Sequence, residues 1–123
     1  MIVIDYSDKR PIYEQIVERL CTLILNGVLE ADEKLPSVRS LAVELSINPN
    51  TIQRAYGELE RRGFIYSVKG RGNFVSADGA AKELEQERLL EELKHHLKVY
   101  REAGIKRAQV DLCVKDIFGE VEV

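Results

Sequence analysis

Two short stretches carry side chains suited to reading a nucleic acid rather than to making or breaking bonds. The first begins Asn48-Pro49-Asn50-Thr51-Ile52-Gln53-Arg54 and runs to Arg61. At helical spacing, Ile52, Ala55, Tyr56 and Leu59 gather on one side, while Asn50, Gln53, Arg54, Gly57 and Arg61 gather on the other. Carboxamides can pair bidentately with adenine in a major groove and guanidiniums with guanine, and Gly57 would let the helix approach a groove wall. The second stretch is Lys69-Gly70-Arg71-Gly72. Cations on such a narrow tip suit a minor groove or the phosphates beside it. Arg39, in the first turn of the preceding helix, can reach a phosphate or a base edge. Ser37 can cap that helix and also donate its hydroxyl to a phosphate.

Each of these residues also has a plainer reading. The polar helix face could simply be solvated, Arg39 could make a local ion pair, and Lys69 and Arg71 could keep a hairpin end soluble. Tyr66 could contact a phosphate or pack within the hairpin. The combination is what favours recognition: a polar face, a preceding helix, a tight turn and a cationic tip occur in that order.

Competing chemistry is not evident. No nucleophile sits in a motif with a base, and no glycine loop belongs to a βαβ unit. His95 and His96 are adjacent, whereas two metal ligands on one helix face need a spacing of three or four. Cys21 and Cys113 read as small apolar fillers of helical patterns. No enzyme activity, metal or cofactor is expected.

The elements that must position these residues follow from periodicity and punctuation. Ile2-Val3-Ile4 is a short β-prone run. From Pro11, suited to a first helical position, Ile12, Ile16, Leu20, Leu23 and Ile24 form an amphipathic stripe widened by Tyr13 and Val17. Asn26-Gly27 stops that helix, and a polar loop spans residues 30–34. Ser37 is an N-cap for a short helix with Val38, Leu41, Ala42 and Leu45 inward. Asn48 caps the next helix, Pro49 occupies its first position, and Gly63 ends it. Residues 64–68 and 73–75 read as strands joined by the glycine-rich turn. The fold class expected is mainly α with a small β-hairpin wing, a winged helix-turn-helix over residues 1–76.

Residues 77–123 change character. Leu84, Leu90, Leu93, Leu97 and Tyr100 form one stripe of a charged helix ended by Gly104, and Val110, Val114, Ile117 and Phe118 share helical spacing after it. Two helices alone bury too little apolar surface to stand as a domain. Their stripes need a partner, so Leu90, Leu93, Leu97, Tyr100, Val114, Ile117 and Phe118 are candidate dimerisation residues of a two-helix tail. No segment outside the winged helix is large enough to enclose a metabolite, so a small-molecule effector could sit between this tail and the winged helix.

The 123 residues are 45% hydrophobic and 32% charged, as in a well-solvated globular protein. The net charge of −3 is unexpected for a partner of DNA, but residues 1–76 hold ten basic and ten acidic side chains, and residues 77–123 hold eight and eleven. The acidic excess belongs entirely to the tail. No apolar run is long enough to cross a bilayer, and no basic-then-apolar leader opens the chain, so a cytoplasmic protein is expected.

The string Leu35-Pro36-Ser37-Val38-Arg39-Ser40-Leu41-Ala42, then Asn48 to Tyr56, Leu59-Glu60, Gly63-Phe64-Ile65 and Gly70 to Val75 resembles the GntR family of bacterial transcription factors. Pro11 to Ile16 matches the start of that family's DNA-binding domain, and the resemblance spans about residues 10–76. The short tail is similar to that of the YtrA subfamily, where it serves dimerisation. The resemblance implies DNA contacts at Arg39, Asn48, Asn50, Thr51, Gln53, Lys69, Gly70 and Arg71, to which the wheel adds Arg54 and the capping argument Ser37. Some relatives carry arginine where Pro49 or Gln53 stands here, which leaves the preferred bases open. It further implies a homodimeric repressor on a palindromic operator, with transporter genes among its targets. The alternative is a winged helix used only as a protein–protein adaptor.

Overall fold

At Pro11 the φ of −54° and ψ of 147° leave the chain extended, and its carbonyl accepts from the Glu14 and Gln15 N–H groups as the first helix begins. The computed structural model describes residues 2–77 and 79–120. Helix α1 spans Ile12–Leu25 and buries Ile16, Val17, Leu20, Cys21 and Ile24, the face its three-and-four spacing predicts. Pro11 stands one position before the helix rather than inside it. Gly27, at φ +76°, allows the chain to fold back so that the Val28 and Leu29 N–H groups both reach the Leu23 carbonyl.

Helix α2, Val38–Leu45, and helix α3, Pro49–Arg61, are separated by three residues. Ser46 makes the reversal by adopting a left-handed φ of 55°, and the Ile47 N–H then reaches back to the Ala42 carbonyl at 2.9 Å. Helix α3 inserts Ile52, Ala55, Tyr56 and Leu59 between the other two helices and the sheet. All four are at most 1% exposed, so α3 is the central element of the core.

Strands β1, Ile65–Val68, and β2, Gly72–Val75, form an antiparallel hairpin in which Ile65 pairs with Val75 and Val68 with Gly72. Ile65, Val75 and Phe64 close the core from this side. Residues 32–34, within the stretch read from sequence as polar loop, and Leu35 after them lie along the free edge of β2. The Asp32 N–H donates to the Val75 carbonyl at 2.7 Å, the Val75 N–H to Glu33 at 2.9 Å, and the Leu35 N–H to Asn73 at 2.9 Å. Four residues with one buried apolar side chain are too few for an alternation signal, so sequence periodicity could not reveal this edge.

The β-prone run at the N-terminus is not a strand. Ile2 and Ile4 pack against the core, and the buried Gln15 carboxamide pairs with the backbone of Asp5, the residue after them. Gln15 Oε1 accepts from the Asp5 N–H at 2.9 Å, and its Nε2 donates to the Asp5 carbonyl at 3.0 Å. A buried carboxamide satisfied on both sides costs little to desolvate.

The chain divides into two compact units, Met1–Glu83 and Leu84–Val123. Helix α4, Gly79–Glu102, contributes its first turn to the earlier unit, where Ala81 packs on the core. In the later unit, Gly104 (φ +93°) ends α4, and α5 spans Arg107–Phe118. The Lys106 N–H is held by Gln109 Oε1 at 2.8 Å as α5 begins. Neither helix buries a residue. The two cysteines separate accordingly: Cys21 is a buried apolar filler, whereas Cys113 is exposed and fills nothing within one chain.

Candidate nucleic-acid interface

Two caps set the geometry of the recognition unit. Ser37 Oγ accepts from the Ser40 N–H at 3.0 Å, satisfying an otherwise unpaired donor in the first turn of α2. Its hydroxyl proton stays available for an outside acceptor. Asn48 Oδ1 accepts from the Asn50 N–H at 2.8 Å, so capping occupies the oxygen and leaves the amide NH₂ to donate. The two readings of each side chain, cap and contact, are therefore compatible.

Behind the caps a buried hydrogen bond joins the two helices. The Tyr56 hydroxyl donates to the Pro36 carbonyl at 2.7 Å, tying the middle of α3 to the residue before Ser37. Burial, and next the charge of Glu44, push this hydroxyl up to about 12. It remains a donor across the physiological range.

On the opposite side of α3, Asn50, Gln53 and Gly57 are exposed and Thr51 is half-buried. A Cβ added at Gly57 would meet nothing, so this glycine leaves open space over the helix rather than relieving an internal clash. Arg54 is also exposed, but its guanidinium carbon lies 3.9 Å from the centre of the Tyr13 ring on α1. This cation–π contact holds the side chain against α1, a constraint the helical wheel could not show. Arg61 on the same face is engaged with Glu58, which also accepts from Arg62 at 2.7 Å. These bonds, Arg61's first and Arg62's second, hold the Glu58 carboxyl down at about 2.

The wing presents Lys69, Gly70 and Arg71 at its exposed tip. The Arg71 N–H closes the turn onto the Val68 carbonyl at 2.9 Å, with Gly70 at φ +79° where a side chain would be strained. Tyr66 packs rather than reaching outward: its ring stacks on Phe74 at 5.6 Å, and its hydroxyl donates to Asp32 Oδ1 at 2.8 Å. That bond, followed by desolvation and the Asp32 charge, raises the Tyr66 hydroxyl above its ordinary value.

The neutral balance of residues 1–76 resolves into two populations of cations. Arg10 is paired with Asp8 and Glu18, Arg61 and Arg62 with Glu58, and Arg54 rests on Tyr13. Among the described residues of this part, Lys9 and Arg19 take part in no ion pair, and neither do the four cations Lys34, Arg39, Lys69 and Arg71. All four are exposed, and they belong to the wing and to α2. Acidic side chains neutralise Arg10, Arg61 and Arg62 and leave Arg39 beside the Ser37 cap and Lys69 and Arg71 at the tip uncompensated.

The tail leaves an apolar surface uncovered within one chain. Leu90 is 58%, Leu93 50% and Tyr100 42% exposed, with Leu97 half-buried between them. On α5, Val114, Ile117 and Phe118 are exposed as well. The His96 ring stacks on Tyr100 at 5.9 Å. Among the described residues no cluster of His, Cys, Asp or Glu could hold a metal ion, and no helix is long and apolar enough to cross a membrane. An apolar cavity of about 20 Å³ between Leu20, Leu35 and Leu41 has room for a single water and none for a metabolite.

Residues 12–75 match the model of the bacterial regulatory proteins of the gntR family. The chain is 37% identical to the HTH-type transcriptional repressor YtrA of Bacillus subtilis, over 99% of its own length and 95% of that protein's. It superimposes on a GntR family transcriptional regulator from Listeria monocytogenes with a TM-score of 0.78 and 38% identity, covering 97% of this chain and all of that one. A second similar structure is AraR(DBD) in complex with operator ORE1, with a TM-score of 0.53 and 30% identity, covering 62% of this chain and 93% of that one.

Proposed function

The chain belongs to the gntR family of bacterial regulatory proteins, and from that membership we propose that it is a homodimeric repressor reading a palindromic operator. In this reading the winged helix of residues 1–76 is the reading head and residues 77–123 are the tail that pairs two heads. The observation that carries it is the sorting of α3. Asn50 and Gln53 stand exposed on one side, while Ile52, Ala55, Tyr56 and Leu59 are buried on the other.

With α3 in a major groove, Asn50 and Gln53 pair with adenines, the base edge that offers a donor and an acceptor side by side. Thr51, and Asn48 through its free amide NH₂, contact the backbone at the start of the helix. Arg39 and the Ser37 hydroxyl hold phosphates at the start of α2, and Lys69 and Arg71, with Gly70 between them, enter the adjoining minor groove. Arg54, placed on Tyr13, reaches the flanking phosphate rather than a base. Support for a nucleic-acid partner comes also from the operator complex formed by AraR(DBD), a similar structure.

Two heads gain affinity only if they are held together, and the uncovered stripe of Leu90, Leu93, Leu97 and Tyr100, continued by Val114, Ile117 and Phe118, is the surface for that. Half-sites then lie about one helical turn apart. The targets we propose include transporter genes, and the protein works in the cytoplasm. An adaptor would need an apolar or acidic surface where Asn50 and Gln53 stand, and that surface is neither.

Selection of duplexes by the wild-type protein from a randomised DNA library, followed by anisotropy titration over a range of salt, tests the proposal. Enrichment of an inverted repeat, with binding that weakens steeply as salt rises, is expected. No enrichment and no salt slope would remove the DNA-reading function.

A further inference from the structure

We propose that Lys34, on the strand-like edge beside β2, is a third DNA-contacting cation of the wing, its ammonium on a phosphate and its stem lying across Gly72. The proposal rests on the DNA-reading function above and adds a residue to which none of the arguments so far assigns a role.

Lys34 pairs with Phe74 in an antiparallel bridge, and the hydrogen bonds of Asp32, Leu35 and Val75 on either side fix its register. Alternation along a strand then puts Lys34, Phe74 and Gly72 on one sheet face, together with Tyr66 and Val68 of β1. From the bridge at Phe74, the direction toward Gly72 is the direction of the wing tip. The Lys34 side chain takes that course: a Cβ built on Gly72 would stand 3.2 Å from Lys34 Cε. Gly72 is followed on its N-terminal side by Arg71, so the Lys34 ammonium is carried toward the cationic tip.

Two further observations favour a partner outside the protein. Lys34 is exposed and takes part in no ion pair among the described residues. The carboxylate on its own sheet face, Asp32, is engaged by the Tyr66 hydroxyl. Gly72 lacks a side chain for its φ of +120°, and the lysine stem lies over the space this leaves. A lysine with a strongly hydrated point charge on a flexible stem suits a phosphate better than a base edge.

The plainer role, an aliphatic stem covering the wing face, is separable from the charged one. Lys34→Met keeps the stem and removes the charge, and Lys34→Arg keeps the charge. Both are measured against the selected duplex and a mixed-sequence duplex, with thermal denaturation of each variant alongside. The expected result is that Lys34→Met lowers affinity for both duplexes by a similar factor, about three- to tenfold, and reduces the slope of log K against log salt by about 0.9. Lys34→Arg should retain the wild-type slope. An unchanged slope for Lys34→Met on DNA that the wild type binds would overturn the Lys34 proposal alone. Failure of the wild type to bind any duplex would overturn the DNA-reading function and this proposal with it.

Discussion

The Tyr56 hydroxyl and the Pro36 carbonyl, twenty positions apart in sequence, meet at 2.7 Å and fix the recognition helix to the approach of the helix before it. The bond sits directly behind Ser37 and Arg39, so the angle between α2 and α3 depends on it as well as on apolar packing. Tyr56→Phe keeps the ring and leaves the carbonyl without its donor, at a cost of about 1–2 kcal/mol in urea denaturation. The same hydroxyl has a pH signature, set by its burial and next by the charge of Glu44. The hydroxyl titrates at about 12 in the fold against an ordinary 10, so its contribution is complete below pH 10 and is lost as pH rises through 12. Tyr56→Phe should flatten that alkaline limb. An unchanged midpoint and an unchanged limb would show the bond to be idle.

Free and constrained arginines should behave differently toward DNA. Arg39→Ala and Arg71→Ala, at exposed positions without ion pairs, are expected to weaken duplex binding about tenfold each while leaving the thermal midpoint in place. Arg54→Ala should lose stability as well as affinity, because the Tyr13 contact goes with it. A double-mutant cycle of Arg54→Ala with Tyr13→Leu is expected to return a coupling of about 0.5–1 kcal/mol in the absence of DNA. A coupling of zero would place Arg54 among the free cations.

Glu58 governs two further arginines. Its carboxyl is held at about 2 against an ordinary 4.5, so the stability it contributes is present above pH 4.5 and is lost as pH falls through 2. Solvent screening at this surface keeps the amount small. Glu58→Gln is therefore expected to change stability little at neutral pH, to reduce the acid-side slope, and to strengthen low-salt binding to mixed-sequence DNA by freeing Arg61 and Arg62. Unaltered DNA affinity in that variant would mean that these guanidiniums lie away from the backbone.

The tail makes a prediction about mass. Leu93→Glu puts a charge in the middle of the uncovered stripe of α4 and is expected to convert a dimer into a monomer in sedimentation at micromolar concentration. The winged helix of Met1–Glu83, which has its own core, should stay folded. Operator affinity should fall by more than any single contact residue accounts for, because half-sites then bind singly. A dimer that survives the substitution would move the interface elsewhere.

Much of this architecture was legible in the residues. Ser37, Asn48 and Pro49 announce helix starts because few residue types can satisfy or dispense with the first N–H groups of a helix. Period-3.6 spacing separates Ile52, Ala55, Tyr56 and Leu59 from Asn50 and Gln53 without any coordinates. The glycines at 63 and 70 mark a helix end and a turn because both backbones need positive φ. These are local constraints, and a local sequence states them.

What only the tertiary structure decided involves partners far apart in the chain. Ile2 to Ile4 has β propensity but forms no strand: Ile2 and Ile4 pack on the core, and the Gln15 side chain meets the backbone hydrogen bonds of the next residue, Asp5. Residues 32–35 have no strand signal and still pair, because β2 has an open edge beside them. Arg54 is a groove residue on a wheel and rests on Tyr13 in space. A net charge near zero predicts nothing about a DNA surface until the fold shows which cations Asp8, Glu18 and Glu58 neutralise and which they leave free. Charge in a sequence is a sum; recognition depends on where the terms are placed, and placement is a property of the folded chain.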